Sequence, residues 1–433
     1  MKDETLGASP TGDADSSFRP LYSYYVLSLL TLTAVLNVVD RQILGIFLIQ
    51  IKTEFGLQDS QLGVLTGPVF SVIFVSMTLP IAIIADRTSR KNVIAICTMF
   101  FSMMTALCGM AASFWQLCLA RFGVGIGEAG TLPAGTSILT DLFPPERRAR
   151  AMAVQSTGVN IGLLVSYFAG GMIADAYGWR TGFLIAGAPG VLLSILFFTT
   201  VRENRASHSA AGEKNSVSFT EAFRHMWAIP AFRWITAGSA LVVWSMSAMF
   251  AFTPLFLAQT HGLSASRVGF ILAFYCGVLG MIATLTAGAL ADRLGKRSWA
   301  MTMLVPTISY GITVPFVLIF YLAPGFELSI IAGAIPLMMA MTYGAPTYAL
   351  AQTMAPPHMR SQAAAILITA GYLIGAALGP LIVGAASDAL GPVGGKRSMG
   401  YALTLVALSN IGAAFCYWRA YRVLKAEEQP VTA

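Results

Sequence analysis

Ala85-Asp86-Arg87-Thr88-Ser89-Arg90-Lys91 and Ala291-Asp292-Arg293-Leu294-Gly295-Lys296-Arg297 decide how this chain is read. They lie about 206 positions apart (86 to 292), and each follows a long apolar run at the same point in its half. Two further pairs keep nearly the same register. Phe143-Pro144-Pro145-Glu146-Arg147-Arg148 matches Ala355-Pro356-Pro357-His358-Met359-Arg360, and Gly170-Gly171-Met172-Ile173-Ala174-Asp175 matches Gly384-Ala385-Ala386-Ser387-Asp388. Three matches in register imply a duplicated half, with the two copies related by an axis along a membrane normal.

Composition places those halves in a bilayer. The 433 residues are 56% hydrophobic and 11% charged, with a mean hydropathy of +0.70. Those values exclude an ordinary soluble domain. Crossing the hydrocarbon takes roughly 20 mostly apolar residues, and the chain holds about twelve such stretches. They centre near Val35, Ile73, Thr105, Gly127, Gly162 and Ser194, then near Met246, Leu279, Ile312, Met341, Ile374 and Leu408. The expected division is a tail at 1–20, a six-helix bundle at 21–201, a polar linker at 202–230, a second bundle at 231–422 and a tail at 423–433. Within the linker, Phe219 to Trp227 reads either as a short amphipathic surface helix or as a disordered segment.

Basic residues crowd the even loops and both ends, whereas the odd loops carry only Lys52, Arg180, Arg267, Lys396 and Arg397. The positive-inside rule then puts both termini in the cytoplasm and the chain in the plasma (inner) membrane. The net charge of +7 is a topology signal scattered over short loops, so no nucleic-acid partner is expected. Nothing at the start of the chain reads as a cleavable signal peptide. Five cysteines (Cys97, Cys108, Cys118, Cys276, Cys416) lie in apolar spans without metal-type spacing, and they read as packing residues. His208, His225, His261 and His358 sit in loops or at span ends. No nucleophile–base pair can be placed, so neither enzyme, cofactor nor metal is expected.

Ionisable side chains fall clearly within spans at four positions: Asp40, Arg41, Arg121 and Glu128. A charge at a span centre costs roughly 2.5 to 3.5 kcal/mol on insertion scales and marks substrate or proton pathways. Arg121, Gly125 and Glu128 follow i, i+4, i+7 spacing, which puts them on one helical face about 10 Å long. Asn37, Asp40 and Arg41 share a face of the first span. The second half has no matching acid or base in its spans and reads as an apolar wall.

Three roles stay open for the four charges. Asp40 and Glu128 can carry a coupled proton with Arg41 and Arg121 as counter-charges. Arg41 or Arg121 can bind an anionic head group, since guanidinium suits oxyanions. All four can also form a static network that holds helices in register. Trp244, Phe252, Phe274, Tyr310, Tyr343 and Tyr348, among other second-half aromatics, are candidates to line a path for an apolar tail, although most aromatics in membrane helices are packing or interface residues.

The duplicated Asp-Arg-x-x-x-Arg/Lys-Arg/Lys loop resembles the major facilitator superfamily, and the resemblance covers nearly the whole chain. The first loop departs at its leading glycine, which is Ala82 here, while the second keeps Gly288. Asn37-Val38-Val39-Asp40-Arg41, Arg121-Phe122-Gly123-Val124-Gly125-Ile126-Gly127-Glu128-Ala129 and Asp141-Leu142-Phe143 with Arg147-Arg148-Ala149-Arg150 are similar to the spinster-like branch. Eukaryotic members of that branch move sphingosine phosphate and lysophospholipids. The resemblance implies an all-α fold of twelve transmembrane helices in two pseudo-symmetric bundles. It also implies that spans one and four line a central cavity, and that Asp86, Arg87, Arg90, Asp292, Arg293 and Arg297 form a cytoplasmic gate. Superfamily antiporters often carry Gly-Pro in the fifth span; Ser166-Tyr167 stands there, and Gly379-Pro380 lies in the eleventh. The resulting expectation is a monomeric, proton-coupled, alternating-access carrier of an amphipathic anion such as a lysophospholipid or sphingolipid phosphate, surrounded by membrane lipids. A proton-coupled carrier of a small organic anion or a drug is the alternative.

Overall fold

The computed structural model describes residues 20–202, 219–356 and 359–428, and the side chains at 20, 86, 145, 146 and 149 fall outside that description. The amino-terminal tail, most of the polar linker, His208, His358 and the side chain of Asp86 therefore lie outside the described residues. Among the described residues the architecture is entirely helical.

Twelve spans can be followed, several of them composite. Span 1 is Pro20–Phe55, span 2 joins Asp59–Thr66 to Pro68–Arg87, span 3 is Arg90–Gly109, and span 4 joins Phe114–Glu128 to Thr131–Leu142. Spans 5 and 6 share the long run Pro145–Thr200, which folds back at Gly178, where φ is 77°. Only a residue without Cβ enters that region cheaply. After the helix Phe219–Ala228, span 7 is Pro230–His261 and span 8 runs from Ala265 to Gly295 through a π-helical segment, Ala273–Leu279. Span 9 is Trp299–Met303 with Leu304–Leu322, and span 10 is Phe326–Met339 with Gly344–Met354. Span 11 runs from Arg360 to Gly394 through a second π-helical segment, Gly371–Ala376, and span 12 from Ser398 to Glu428. Serines start several of these helices: the Oγ of Ser89, Ser113 and Ser264 accept from the N–H of Asn92, Gln116 and Arg267, filling donors a helix start leaves unpaired.

Large apolar side chains face outward along the spans, among them Trp115, Leu192 and Ile331 at 70% exposure or more. Such faces belong against lipid tails, since backbone polar groups are satisfied inside each helix. The linker helix Phe219–Ala228 buries Ala222 and Met226 and leaves Phe219, Phe223 and Trp227 exposed. The structure thus favours the amphipathic helix over the disordered alternative for that segment.

The halves meet unevenly. At the end opposite the chain termini, called the distal end here, one buried apolar cluster draws on both halves, from Phe47 and Leu62 to Phe256 and Val383. Toward the terminal end the cores separate. One cluster around Leu30, Ile94 and Leu139 belongs to the first half, and another around Phe232, Tyr310 and Leu367 to the second. Two backbone contacts seal the distal end. A Cβ on Gly384 of span 11 would collide with the Asp59 carbonyl of span 2, and a Cβ on Gly269 of span 8 with the Tyr167 carbonyl of span 5.

Carboxylates fasten both contacts. Asp388 accepts from the backbone N–H of Asp59 at 3.0 Å and of Ser60 at 2.8 Å. Asp175 accepts from Ala265 N–H at 3.1 Å and Ser266 N–H at 2.8 Å. Each acid lies near the distal end of a span in one half and caps the first turn of a span in the other. The two arrangements are copies in the sense of the duplicated sequence.

Candidate functional site

Span 1 lays Asn37, Asp40 and Arg41 against span 4, and the four charges pair crosswise. Arg121 Nη1 donates to Asp40 Oδ2 at 2.7 Å, and both side chains are 3% exposed. Arg41 donates through Nε and Nη2 to Glu128 Oε2, each at 2.5 Å. Glu128 is fully enclosed, whereas the Arg41 side chain keeps 25% of its surface. One pair is therefore sealed in the first half, and the other opens at its guanidinium.

The surroundings of each pair differ. Thr105 of span 3 donates to the second Asp40 oxygen, so that carboxylate is bonded at both oxygens. Glu128 Oε1 is buried and has no hydrogen-bond partner among the described residues. Glu128 also ends its helix: span 4 breaks between it and Thr131. Thr131 Oγ1 donates to the Glu128 carbonyl at 2.9 Å and accepts from Asn37 Nδ2 at 2.9 Å. The break places the carboxylate at a joint in the helix, and Asn37 ties that joint to span 1.

Aromatic rings border the open guanidinium. Its carbon lies 5.0 Å from the ring centroids of both Phe70 and Phe74 on span 2. Tyr372 of span 11 stacks on Phe74 at 4.7 Å and accepts from Arg41 Nη1 at 2.5 Å. A cation held against ring faces keeps favourable electrostatics while losing little water. A guanidinium in that setting can bind an oxyanion whenever its carboxylate partner is neutralised.

Sequence reasoning named the four charges but not Phe70, Phe74, Thr105 or Thr131, and it gave Tyr372 only a general place among tail-lining aromatics. The i, i+4 pair Phe70 and Phe74 and the polar stripe Thr98, Ser102 and Thr105 were readable signals, though neither says which neighbour it faces. The second half is also not purely an apolar wall toward the cluster, because Tyr372 brings a hydroxyl to it.

Of the six tail-lining candidates in the second half, Phe252, Tyr310 and Tyr343 are buried at 0%, 3% and 7% exposure, while Phe274 is 46% exposed. Tyr310 donates to the Ala340 carbonyl at 2.9 Å, and Trp244 and Tyr348 are half-buried. Of the gate residues, Arg87, Asp292, Arg293 and Arg297 are exposed. Arg90 pairs with Asp141 of its own half at 2.8 Å. Tyr167, standing where an antiporter glycine–proline element would fall, is fully buried and donates to Gln42 Oε1 at 3.2 Å. All five cysteines are free and buried, and no group of metal-ligating side chains occurs among the described residues.

A duplicated helical half, a closed distal end and a buried ion pair that reaches the other half through Tyr372 define an integral multi-pass membrane transporter. The Major Facilitator Superfamily model matches residues 30–380, and the chain belongs to that family. It is 31% identical over 415 residues to an "MFS-type efflux pump" of Mycolicibacterium smegmatis, covering 94% of this chain and 95% of that protein. Identity to "Protein spinster homolog 3" of Danio rerio is 24% over 421 residues, covering 90% of this chain and 82% of the relative. The crystal structure of a bacterial homologue of the human lysosomal transporter spinster, inward-facing and unoccupied, superposes with a TM-score of 0.84. That match has 26% identity and covers 96% of this chain and 100% of the other. The fold expectation and the relation to spinster proteins hold.

Proposed function

We propose that the chain is a proton-coupled secondary transporter that moves an amphipathic anion, such as a lysophospholipid or sphingolipid phosphate, by alternating access. The crossed pairs carry this reading. The sealed Asp40–Arg121 pair has both carboxylate oxygens bonded, which suits a role holding spans 1, 3 and 4 in register. Glu128–Arg41 is the working pair. An ionised carboxylate with one buried, unbonded oxygen is costly, and a proton on Glu128 Oε1 removes that cost. Protonation also frees Arg41 to take an anionic head group. The apolar tail would run along the second half, past the half-buried Trp244 and Tyr348.

The alternating-access part rests on the unequal ends. With the positive-inside orientation, the terminal end faces the cytoplasm, and the separated cores there correspond to an inward-open state. The crystal structure that superposes on this chain is described as inward-facing. The Asp86 and Asp292 loops would latch the opposite state, which fits the exposure of Arg87, Asp292, Arg293 and Arg297. One observation favours the second reading, a carrier of a small organic anion or drug: the relative from Mycolicibacterium smegmatis is called an efflux pump. Purified protein in liposomes with an internal pH dye, challenged with lysolipids, sphingolipid phosphates and small organic anions, tests both. Substrate-dependent proton movement is expected. Substrate flux without any proton movement would refute coupling.

A further inference from the structure

Among the described residues, Tyr372 makes the second half's hydrogen bond to the ionic cluster. Its hydroxyl accepts from Arg41 Nη1, and its ring stacks on Phe74, 4.7 Å away between centroids. The Arg41 guanidinium carbon lies 5.7 Å from the same ring. Tyr372 belongs to the π-helical segment Gly371–Ala376 of span 11, and such bulges recur at functional positions inside helices.

A phenol that accepts a bond from a guanidinium still has its own proton to give. No described residue takes that proton. Tyr372 is half-buried, and its hydroxyl lies against Arg41, whose side chain keeps 25% of its surface. Tyr343 and Tyr348 of span 10 lie close enough to Tyr372 to interact with it, and each brings a neutral phenol to that side of the cluster.

We propose that Tyr372 is the second half's donor to the anionic oxygen of the substrate and sets preference for phosphate- or carboxylate-bearing molecules over neutral ones. This rests on the reading of Arg41 as the head-group cation. Once Glu128 is protonated, Arg41 turns Nε and Nη2 to the anion, and the Tyr372 hydroxyl donates to the same anion from span 11. Because Arg41 sits on span 1 and Tyr372 on span 11, a bound anion bridges the halves. A neutral analogue makes no such bridge. Span 11 is also the span that Asp388 fastens to span 2 at the distal end, so the bridge acts on a helix that must move when the halves rock.

The test compares wild type, Tyr372→Phe and Arg41→Ala by calorimetric titration in detergent with oleoyl lysophosphatidate, its uncharged monooleoylglycerol counterpart, and benzoate. Tyr372→Phe keeps the ring on Phe74 and against Arg41, so its ligand-free unfolding temperature should match wild type. The expected result is anion binding at least about tenfold weaker in Tyr372→Phe, as loss of a hydrogen bond to a charged group implies, with monooleoylglycerol binding unchanged. Whichever of lysophosphatidate and benzoate loses affinity identifies lipid or small-anion substrates. Arg41-dependent anion binding that is the same in Tyr372→Phe overturns this proposal and leaves the Arg41 reading standing. Anion binding unaffected by Arg41→Ala, or no anion binding by wild type, overturns the Arg41 reading and this proposal with it.

Discussion

The carboxylate of Asp388 caps the helix that begins at Asp59, although 329 positions separate the two residues along the chain. Ser387 reinforces the junction by donating to Asp59 Oδ2 at 2.8 Å, and Lys52 pairs with the other Asp59 oxygen at 2.5 Å. The Asp175–Ala265 contact repeats the arrangement between spans 5 and 8. Distal closure is therefore built from two matched carboxylate-to-backbone junctions, each crossing the interface between halves. Opening that end must break both.

Removing the junction carboxylates should favour the distal-open state. A helix cap contributes about 1 kcal/mol, so Asp388→Ala or Asp175→Ala should each shift the open-to-closed ratio about fivefold, and the pair about 25-fold if additive. Spin-label distances across the distal ends of spans 2 and 11 and of spans 5 and 8 would read the shift. Unchanged distance distributions in the double variant would show that apolar packing alone closes this end.

The two ion pairs should respond differently to neutralisation. Asp40→Asn leaves the Arg121 guanidinium, 3% exposed, without a counter-charge, and breaking a buried pair this way typically costs about 3–5 kcal/mol. Glu128→Gln leaves Arg41 with ring faces, Tyr372 and partial exposure. Thermal unfolding in detergent should therefore show a large loss for Asp40→Asn and a small one for Glu128→Gln. Equal losses would mean that both pairs serve the same structural purpose.

Much of this architecture was legible in the sequence because bilayers impose a strong, simple signal. Long apolar runs give the spans, and the duplicated Asp-Arg loops give the halves. The four intramembrane charges were conspicuous because hydrocarbon makes any charge costly. Their pairing was not legible, because helical spacing says which residues share a face and not which face meets which. Two like-sense groupings on facing helices pair crosswise here, Asp40 with Arg121 and Arg41 with Glu128. Asp175 and Asp388 stood out as repeat markers, yet their capping role depends on backbone N–H groups supplied by the opposite half. Tyr372 was one aromatic among many until span 11 was placed beside span 2.

Glu128→Gln should separate substrate binding from proton movement. Glutamine fills the same space and carries a permanent neutral head, as protonated glutamate does. Arg41 is then free of an ionic partner at every pH, so anion binding should persist and lose its pH dependence. In the dye-loaded liposomes, substrate exchange should continue while the proton signal falls at least about tenfold, in line with removal of a positioned proton carrier. Proton movement at the wild-type level would assign coupling elsewhere, with Asp40 the remaining buried acid of the cluster.

Gly384 offers a test of distal closure that leaves every charge in place. Its Cα faces the Asp59 backbone so closely that any Cβ would strike the carbonyl oxygen, and Ser60 Cα also lies within contact range. Backbone atoms cannot swing aside as a long side chain can, so Gly384→Val must push spans 2 and 11 apart. In the distal-open state the same valine has no partner to strike. The variant should thus fold, favour the distal-open state more strongly than the loss of one cap does, and transport at well under a tenth of the wild-type rate, because the cycle must pass through the closed form. Cysteine labelling from the distal side, at a position introduced beside Arg41, should rise in the variant. Wild-type labelling together with wild-type transport would show that the contact between spans 2 and 11 loosens at little cost and does not gate the site.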